Sequence, residues 1–379
     1  MADGSVGGFT HDEYAPVREA FAANLASGAD VGACFTATVE GETVVDLWGG
    51  FADEAKTRPW KKDTIVNVYS TTKTMTALTA LLVADRDELD FDAPVARYWP
   101  EFAAAGKANV KVSHLMSHSA GLSGWKEPIT VEDLYDWDKA CALLAAQAPF
   151  WEPGTASGYH ALTQGYLVGE VVRRITGKSL GTVFREEIAE PLGADFHIGL
   201  PASEDARVAD LIPPPPGAGI GEREQTELSR NMSSNPGINP LDTRTRAWRA
   251  AEIPAAGGHG NARSIAEIHA VLANGGVAKG KRIMSEAGCR KALEQQIEGT
   301  DLIFDGPARF GLGFGLPSAM VPLPNPNTLF WGGYGGSLVI IDMDKRATFG
   351  YAMNKMVGTT TGDLRALGMA GAMWQALAS

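Results

Sequence analysis

Ser70 and Lys73 bring a hydroxyl that could attack and an amine that could take its proton to within three residues of each other. They lie in the stretch Val68-Tyr-Ser-Thr-Thr-Lys-Thr-Met-Thr-Ala-Leu78. A serine hydroxyl is a poor nucleophile until a base removes its proton. Positions i and i+3 share one face of a helix, so a lysine on that turn sits beside the serine. A helix N-terminus there adds partial positive charge, which favours an attacking alkoxide and later an oxyanion. The alternative is a serine N-cap followed by a lysine in solvent.

The chain holds a second Ser-x-x-Lys, Ser123-Gly-Trp-Lys126, so context must choose between them. Ser123 lies among Gly121, Gly124 and Pro128 and reads as loop. After Ser70 the chain runs from Thr71 to Asp85 without Gly or Pro, and Met75, Leu78, Leu81 and Leu82 form one apolar stripe. Before Ser70, Thr64 to Tyr69 reads as a strand or extended entry. A serine at such a strand-to-helix turn is placed for catalysis. To act as a base Lys73 must be largely neutral, and partial burial with neighbouring positive charge is expected to lower its pKa.

Two other stretches could serve the same chemistry. Trp151-Glu-Pro-Gly-Thr-Ala-Ser-Gly-Tyr159 sets a tyrosine after a Pro/Gly turn and before a helix over Ala161 to Ile175. If a nearby ammonium lowered its pKa, the Tyr159 phenol could pass a proton between Ser70 and a leaving group. A tyrosine buried on one hydrogen bond is the competing reading. Phe330-Trp-Gly-Gly-Tyr-Gly-Gly-Ser337 is a glycine-rich strand entrance, and glycine packs poorly inside a sheet. Such a run suits a place where substrate lies against backbone and an edge N–H meets an oxyanion. A glycine-rich hairpin turn is the alternative.

Metal chemistry has little support. His114 and His118 stand at the helical ligand spacing, but Ser119, Gly121 and Gly124 follow at once and no carboxylate is placed nearby. No metal is expected. The net charge of −12, from 33 basic and 45 acidic residues, argues against nucleic acid. At 45% hydrophobic and 21% charged, the 379 residues read as an ordinary globular protein. The longest strongly apolar run, Ala77 to Ala84, is too short to cross a bilayer, so no membrane partner is expected. The first eight residues lack a basic region and an apolar core, so they do not read as a signal peptide. Cys34, Cys141 and Cys289 form no motif and read as reduced core residues, which points to the cytoplasm.

The elements that must position these residues change character along the chain. A helix is expected over Thr10 to Ala26, then a hairpin over Gly32 to Gly50 turning at Glu40-Gly41. Helical signals dominate from Thr71 to Ala194, including Val131 to Ala146, Ala161 to Ile175 with Gly177 as its stop, and Ser179 to Glu190. Residues 201–254, with the run Pro213 to Pro216 and the Gly-rich, charged residues after it, read as a long loop region. Ser264-Ile-Ala-Glu267 reads as a capping box opening a helix to Asn274. Asn327 to Trp331, Ser337 to Asp342 and Ala347 to Asn354 read as consecutive antiparallel strands, and Gly362 to Ala378 as a closing helix. The economical fold is α+β. One antiparallel sheet, flanked by helices and built from residues 1–80 and 250–379, carries an inserted, mainly helical domain at 81–249. A site is expected in the crevice between them.

Ser70-Thr-Thr-Lys73, Tyr159-His-Ala161 and Trp331-Gly-Gly333 resemble, in order and rough spacing, the three motifs of the serine β-lactamase/penicillin-binding-protein superfamily. The connecting segments resemble its class C-like branch. They include Leu89 to Phe102, His114-Leu-Met-Ser-His-Ser-Ala-Gly-Leu122, Pro153-Gly154 and Gly257 to Ser264, and the likeness runs from about Gly32 to Asn354. Two departures matter. Class C β-lactamases carry Tyr-x-Asn where this chain has Ala161, and Lys-Thr-Gly where it has Trp331-Gly-Gly. Both changes remove polar handles for a β-lactam, and the chain looks like a family VIII carboxylesterase.

The resemblance implies the β-lactamase/transpeptidase-like fold, with Ser70 as nucleophile, Lys73 as base and Tyr159 as proton carrier. It implies an oxyanion hole from the backbone N–H groups of Ser70 and Tyr334. The substrate-binding residues expected with them are Trp331, Gly332, Gly333 and His160. It implies an acyl-enzyme resolved by water, no cofactor, and a small-molecule ester with a small, mostly apolar acyl group. The alternatives are a β-lactamase or D-amino-acid peptidase, an acyltransferase with the same residues, and a non-catalytic ligand-binding relative. The last should have lost the nucleophile or base.

Ser70→Ala is expected to abolish ester hydrolysis without unfolding, while Ser123→Ala leaves most of it. Loss of a nucleophile costs several orders of magnitude. Steady-state rates and circular dichroism of both variants check this, and full activity in the Ser70 variant would end the assignment.

Overall fold

Strands from both ends of the chain meet in one six-stranded antiparallel sheet, in the computed structural model, which describes residues 5–216, 225–319 and 321–378. The order across it is Gly7–Thr10, Glu42–Gly50, Gly32–Val39, Ala347–Met353, Leu338–Asp342, Thr328–Gly332. The central hairpin turns at Glu40 and Gly41, both at positive φ (51° and 86°), which matches the twist of a two-residue hairpin loop. Strand Ala347–Met353 then pairs with Gly32–Val39, so the C-terminal strands extend a sheet begun by the N-terminal ones. This is the arrangement expected from the sequence, with the addition of the edge strand Gly7–Thr10. That strand takes the start of the expected Thr10 helix, which instead begins at Ala15 after a 3₁₀ turn.

Both faces of the sheet are covered. Helix Ala262–Ala273 lies on one, and the Gly350 position is where it comes closest: a Cβ there would stand 2.6 Å from the Ala262 carbonyl oxygen. Asn261 caps this helix by accepting from Ser264 N–H (2.9 Å), while Ser264 Oγ accepts from Asn261 N–H (3.1 Å). The box therefore stands three residues before the expected one, because Asn261 is extended and caps. Glu267 is left to pair with Thr43 and Lys279. On the opposite face, the neighbouring residue Phe349 packs edge-on against Trp374 of the closing helix Leu364–Ala378.

The helix that follows Ser70, Thr72–Asp85, is buried on every side from Thr72 to Ala84, not along one stripe. Its threonines are satisfied internally or by neighbours: Thr76 Oγ1 donates to the Pro254 carbonyl, and Thr72 Oγ1 accepts from Gly258 N–H. A helix with satisfied polar groups all round can occupy a core. The boundary expected after residue 80 thus falls inside one continuous helix. Helices Trp137–Ala146, Thr163–Thr176 and the turn-rich 180–192 segment follow, and Gly177 ends the second at φ 71° as expected. Residues 201–254 are more ordered than the prolines implied. Helices Glu227–Ser234 and Arg246–Ala250 and 3₁₀ turns at Ala202–Arg207 and Pro240–Arg244 occupy them. Pro213 to Pro216 has no regular structure, and the charged Gly-rich residues 217–224, like residues 1–4, lie outside the described residues.

Gly350→Ala is expected to destabilise the protein by about 1–3 kcal/mol, because the methyl meets helix backbone that cannot yield locally. A lowered urea midpoint at unchanged m-value checks it. An unchanged midpoint would mean the helix rides freely on the sheet.

Candidate active site

A short strand, Val66–Asn67, leads into a 3₁₀ turn at Tyr69–Thr71 and then the helix from Thr72. Tyr69 stands at φ 42°, a costly conformation for a bulky residue, and its N–H is held by Asn67 Oδ1 at 3.1 Å. Ser70 in this turn and Lys73 in the first turn of the helix are three positions apart and so share a face. Lys73 Nζ lies 3.1 Å from Ser70 Oγ, 2.7 Å from the Ala161 carbonyl oxygen and 2.9 Å from that of Ala255. Tyr159 Oη donates to Ser70 Oγ at 2.6 Å. Lys73 also lies over the Tyr159 ring, 4.9 Å from its centroid.

Lys73 is fully buried, and burial alone pushes its amine well below the usual lysine range. The neighbouring positive charge expected to help does not contribute. A neutral amine has two N–H donors and one lone pair. Two carbonyls accept the donors, so the lone pair is left facing the Ser70 hydroxyl. The phenol of Tyr159 moves the other way from the expectation. Burial raises its pKa, with a smaller downward pull from its bond to Ser70. Tyr159 is therefore a neutral phenol, able to give a proton and regain it, and not a resident phenolate.

The glycine-rich strand is stitched to the nucleophile turn. Ser337 Oγ donates to the Val68 carbonyl at 2.8 Å and pairs with Thr71 Oγ1 at 2.9 Å. A Cβ at Gly333 would stand 2.1 Å from the Val68 oxygen, so only glycine permits this approach. Tyr334 follows, and its backbone N–H has no acceptor among the described residues. Arg365, only 6% exposed, holds the next turn by donating to the Gly335 carbonyl at 2.9 Å while bonded to Asp30 and Asp363.

Trp331 stacks on His118 (centroids 5.3 Å apart, planes 17°) and is flanked by Tyr159 and Phe310. Beside these rings opens a cavity of about 620 Å³ lined by Tyr159, Phe304, Phe310, Leu316, Trp331 and Gly332 among others. His160 does not face it. Its ring is fully buried, Nε2 accepts from Leu122 N–H (3.1 Å), and Nδ1 stands 2.5 Å from the Gly158 carbonyl, so it braces the loop. Gly333, buried against Val68, is likewise a point of close approach and not a wall of the cavity.

The rejected serine fares as expected. Ser123 is buried with no partner for its hydroxyl among the described residues, and Lys126 is exposed over the Phe150 ring. His114 and His118 do not converge. The helix Val112–Met116 ends first, and His118, at φ 58°, turns into the aromatic stack. Sequence reasoning overlooked Ser337, Arg365, Phe304, Phe310 and Asp301 as site residues. Only Ser337 carried a signal, its place at the end of the glycine run.

Lys73→Arg keeps the charge but cannot release a proton at working pH. Ester turnover is expected to fall at least about a hundredfold. In the wild type, acid titrates the lone pair, so kcat/KM should fall as pH drops through the lowered Lys73 pKa. A pH–rate profile of both proteins checks this, and near-normal turnover by the arginine variant would leave Lys73 purely electrostatic.

Comparison with known proteins assigns the chain to a family. A model of the β-lactamase family matches residues 17–372. A family VIII carboxylesterase of known crystal structure shares 45% identity at a TM-score of 0.93, covering 98% of this chain and 100% of that one. A penicillin-binding-protein homologue from Caulobacter crescentus shares 38% identity at a TM-score of 0.89, with the same coverage of 98% and 100%. The esterase/β-lactamase LipL of Mycobacterium tuberculosis is 36% identical over 364 residues, 92% of this chain and 83% of its own. The chain belongs to the β-lactamase family, in the branch that holds the family VIII carboxylesterases.

Proposed function

We propose that this protein is a serine carboxylesterase that hydrolyses small, mostly apolar acyl esters through an acyl-enzyme. The observation that carries the reading is Ser70 Oγ within bonding reach of both Lys73 Nζ (3.1 Å) and Tyr159 Oη (2.6 Å), beside a tryptophan at position 331. The Lys73 lone pair takes the Ser70 proton as Oγ bonds to the ester carbonyl carbon. The N–H groups of Ser70 and Tyr334 hold the oxyanion. As the tetrahedral centre collapses, the bond to the alcohol oxygen breaks. That oxygen takes the Tyr159 proton, and Lys73 ammonium restores it. Water then repeats the sequence on the acyl-enzyme, with Lys73 taking its proton and Ser70 leaving.

The wall beside the nucleophile favours esters over β-lactams. A β-lactam carboxylate needs a cation, and Trp331 offers a ring already stacked on His118. Ala161 contributes to Lys73 only through its carbonyl and has no side-chain amide for a β-lactam. The retained Ser70, Lys73 and Tyr159 still allow slow β-lactam turnover. No helix among the described residues is long and apolar enough to cross a membrane. A cytoplasmic setting belongs to the same proposal and is supported by three free, buried cysteines.

Loss of a charge-assisted bond costs about 1.5–3 kcal/mol, roughly ten- to a hundredfold in binding. Specificity constants for a short-chain aryl ester should therefore far exceed those for a chromogenic cephalosporin, and Trp331→Lys should narrow the ratio. If the cephalosporin is the better wild-type substrate, or the ratio does not move, position 331 does not set substrate class.

A further inference from the structure

The hairpin of Ile297–Asp301 and Gly306–Phe310 lines the cavity together with Trp331, and one buried carboxylate ties it to the catalytic tyrosine. Asp301 is 3% exposed. Its Oδ1 accepts from three backbone N–H groups: Tyr159 at 3.3 Å, Ile303 at 2.9 Å and Phe304 at 3.1 Å. Leu302 N–H donates to the Ser157 carbonyl at 2.8 Å, a second tie to the segment that carries Tyr159. The Phe304 ring, set by that turn, lies 5.1 Å from the Tyr159 ring. Asp301 Oδ2 is buried with no partner among the described residues. Its charge disfavours a phenolate at Tyr159, adding to the effect of burial.

The side of the site is fixed by where the proton must go. When the ester C–O bond breaks, its electron pair stays on the alcohol oxygen, which needs the Tyr159 proton. The alcohol must therefore lie on the Tyr159 side of Ser70. The cavity begins at Tyr159 and continues between Phe304, Phe310, Leu316 and Trp331, whereas Tyr334, the proposed oxyanion donor, does not line it.

We propose that Asp301 is a positioning residue for Tyr159. It holds the tyrosine backbone and the Phe304 turn in one hydrogen-bonded unit. That unit aims the phenol at the departing alcohol and makes the adjoining cavity the seat of the alcohol half of the ester. This rests on the esterase reading. The occupant is then a bulky, largely apolar alcohol whose ring or chain fills an aromatic-walled space, joined to a small acyl group.

The test uses two acetates, so that every variant forms the same acetyl-enzyme. In 4-nitrophenyl acetate the leaving group departs without a proton, whereas benzyl acetate needs one. Asp301→Ala should lose at least about tenfold more kcat/KM on benzyl acetate than on 4-nitrophenyl acetate, because general-acid catalysis matters mainly to the first. Asp301→Asn keeps an oxygen for the three N–H groups and should retain most of both activities. Phe304→Ala, at a partly exposed position, should shift the ratio in the same direction by a smaller factor, and it decides the matter if Asp301→Ala does not fold. Equal losses on the two acetates, or an asparagine variant with a ratio as damaged as alanine's, would overturn the proposal. A wild type inactive on both acetates would instead remove the esterase reading on which it stands.

Discussion

An amine without water is the constraint on which the rest of this site depends. Lys73 has no solvent exposure and two carbonyl neighbours, from Ala161 and Ala255. Keeping it charged there would cost the desolvation of an ammonium, so burial favours the neutral form. The two carbonyls come from different parts of the chain, one after the Tyr159 turn and one from the loop before His259. They fix which way the lone pair points. The helix around Lys73 must then be buried on every side, and its threonines must find partners inside the protein. The sheet, the 254–258 loop and the Tyr159 turn are arranged about this one dry nitrogen.

The same dryness assigns the role of Tyr159. In an exposed site a nearby ammonium could hold a phenolate, but here burial disfavours both the ammonium and the phenolate. Moving a proton from the Ser70 hydroxyl to an amine creates charge that fixed protein groups, not water, must stabilise here, so distance and angle become the controlling variables. That explains the amount of structure devoted to aim. Ser337 and Gly333 fasten the strand to the nucleophile turn, Arg365 braces the following turn, and His160 stiffens the Tyr159 loop from behind. None of these groups needs to touch a substrate.

The parts legible in the sequence were those fixed by local rules. Ser70 and Lys73 are three residues apart in a helix-forming run, and Glu40-Gly41 has the chemistry of a two-residue turn. Three C-terminal strands alternate or run apolar between clear breaks. What failed was either a local cap passed over or a contact decided at a distance. The prolines and glycines of 201–254 hid two short helices capped by Thr226 and Thr245. His114 and His118 had the spacing of helical ligands, but the helix ends at Met116 and the second ring turns into the stack with Trp331. Asp301 was invisible because an isolated aspartate at a strand end has no pattern. Its importance comes from a tyrosine N–H that is 142 positions away in sequence.

The surroundings of Trp331 bear on the proposed preference for esters. A lysine at position 331 would need a counter-charge, and in this pocket its neighbours are His118, Phe310 and Tyr159. His118 is buried and its pKa is pushed well below the usual imidazole range, so it stays neutral and stacks as an aromatic plane. Trp331 fits among these rings, none of which carries a charge that would pair with an ammonium. The aromatic wall is thus self-consistent: each ring removes water that a charged neighbour would require. A substrate that brings its own carboxylate must desolvate it against this wall without repayment, whereas an ester brings no charge until the oxyanion forms. In the proposed reaction that oxyanion meets the N–H groups of Ser70 and Tyr334, farther along the same strand entrance as Trp331. In the proposed reaction the aromatic wall bears on substrate class, while the Ser70–Lys73 pair keeps its own anchors at the Ala161 and Ala255 carbonyls.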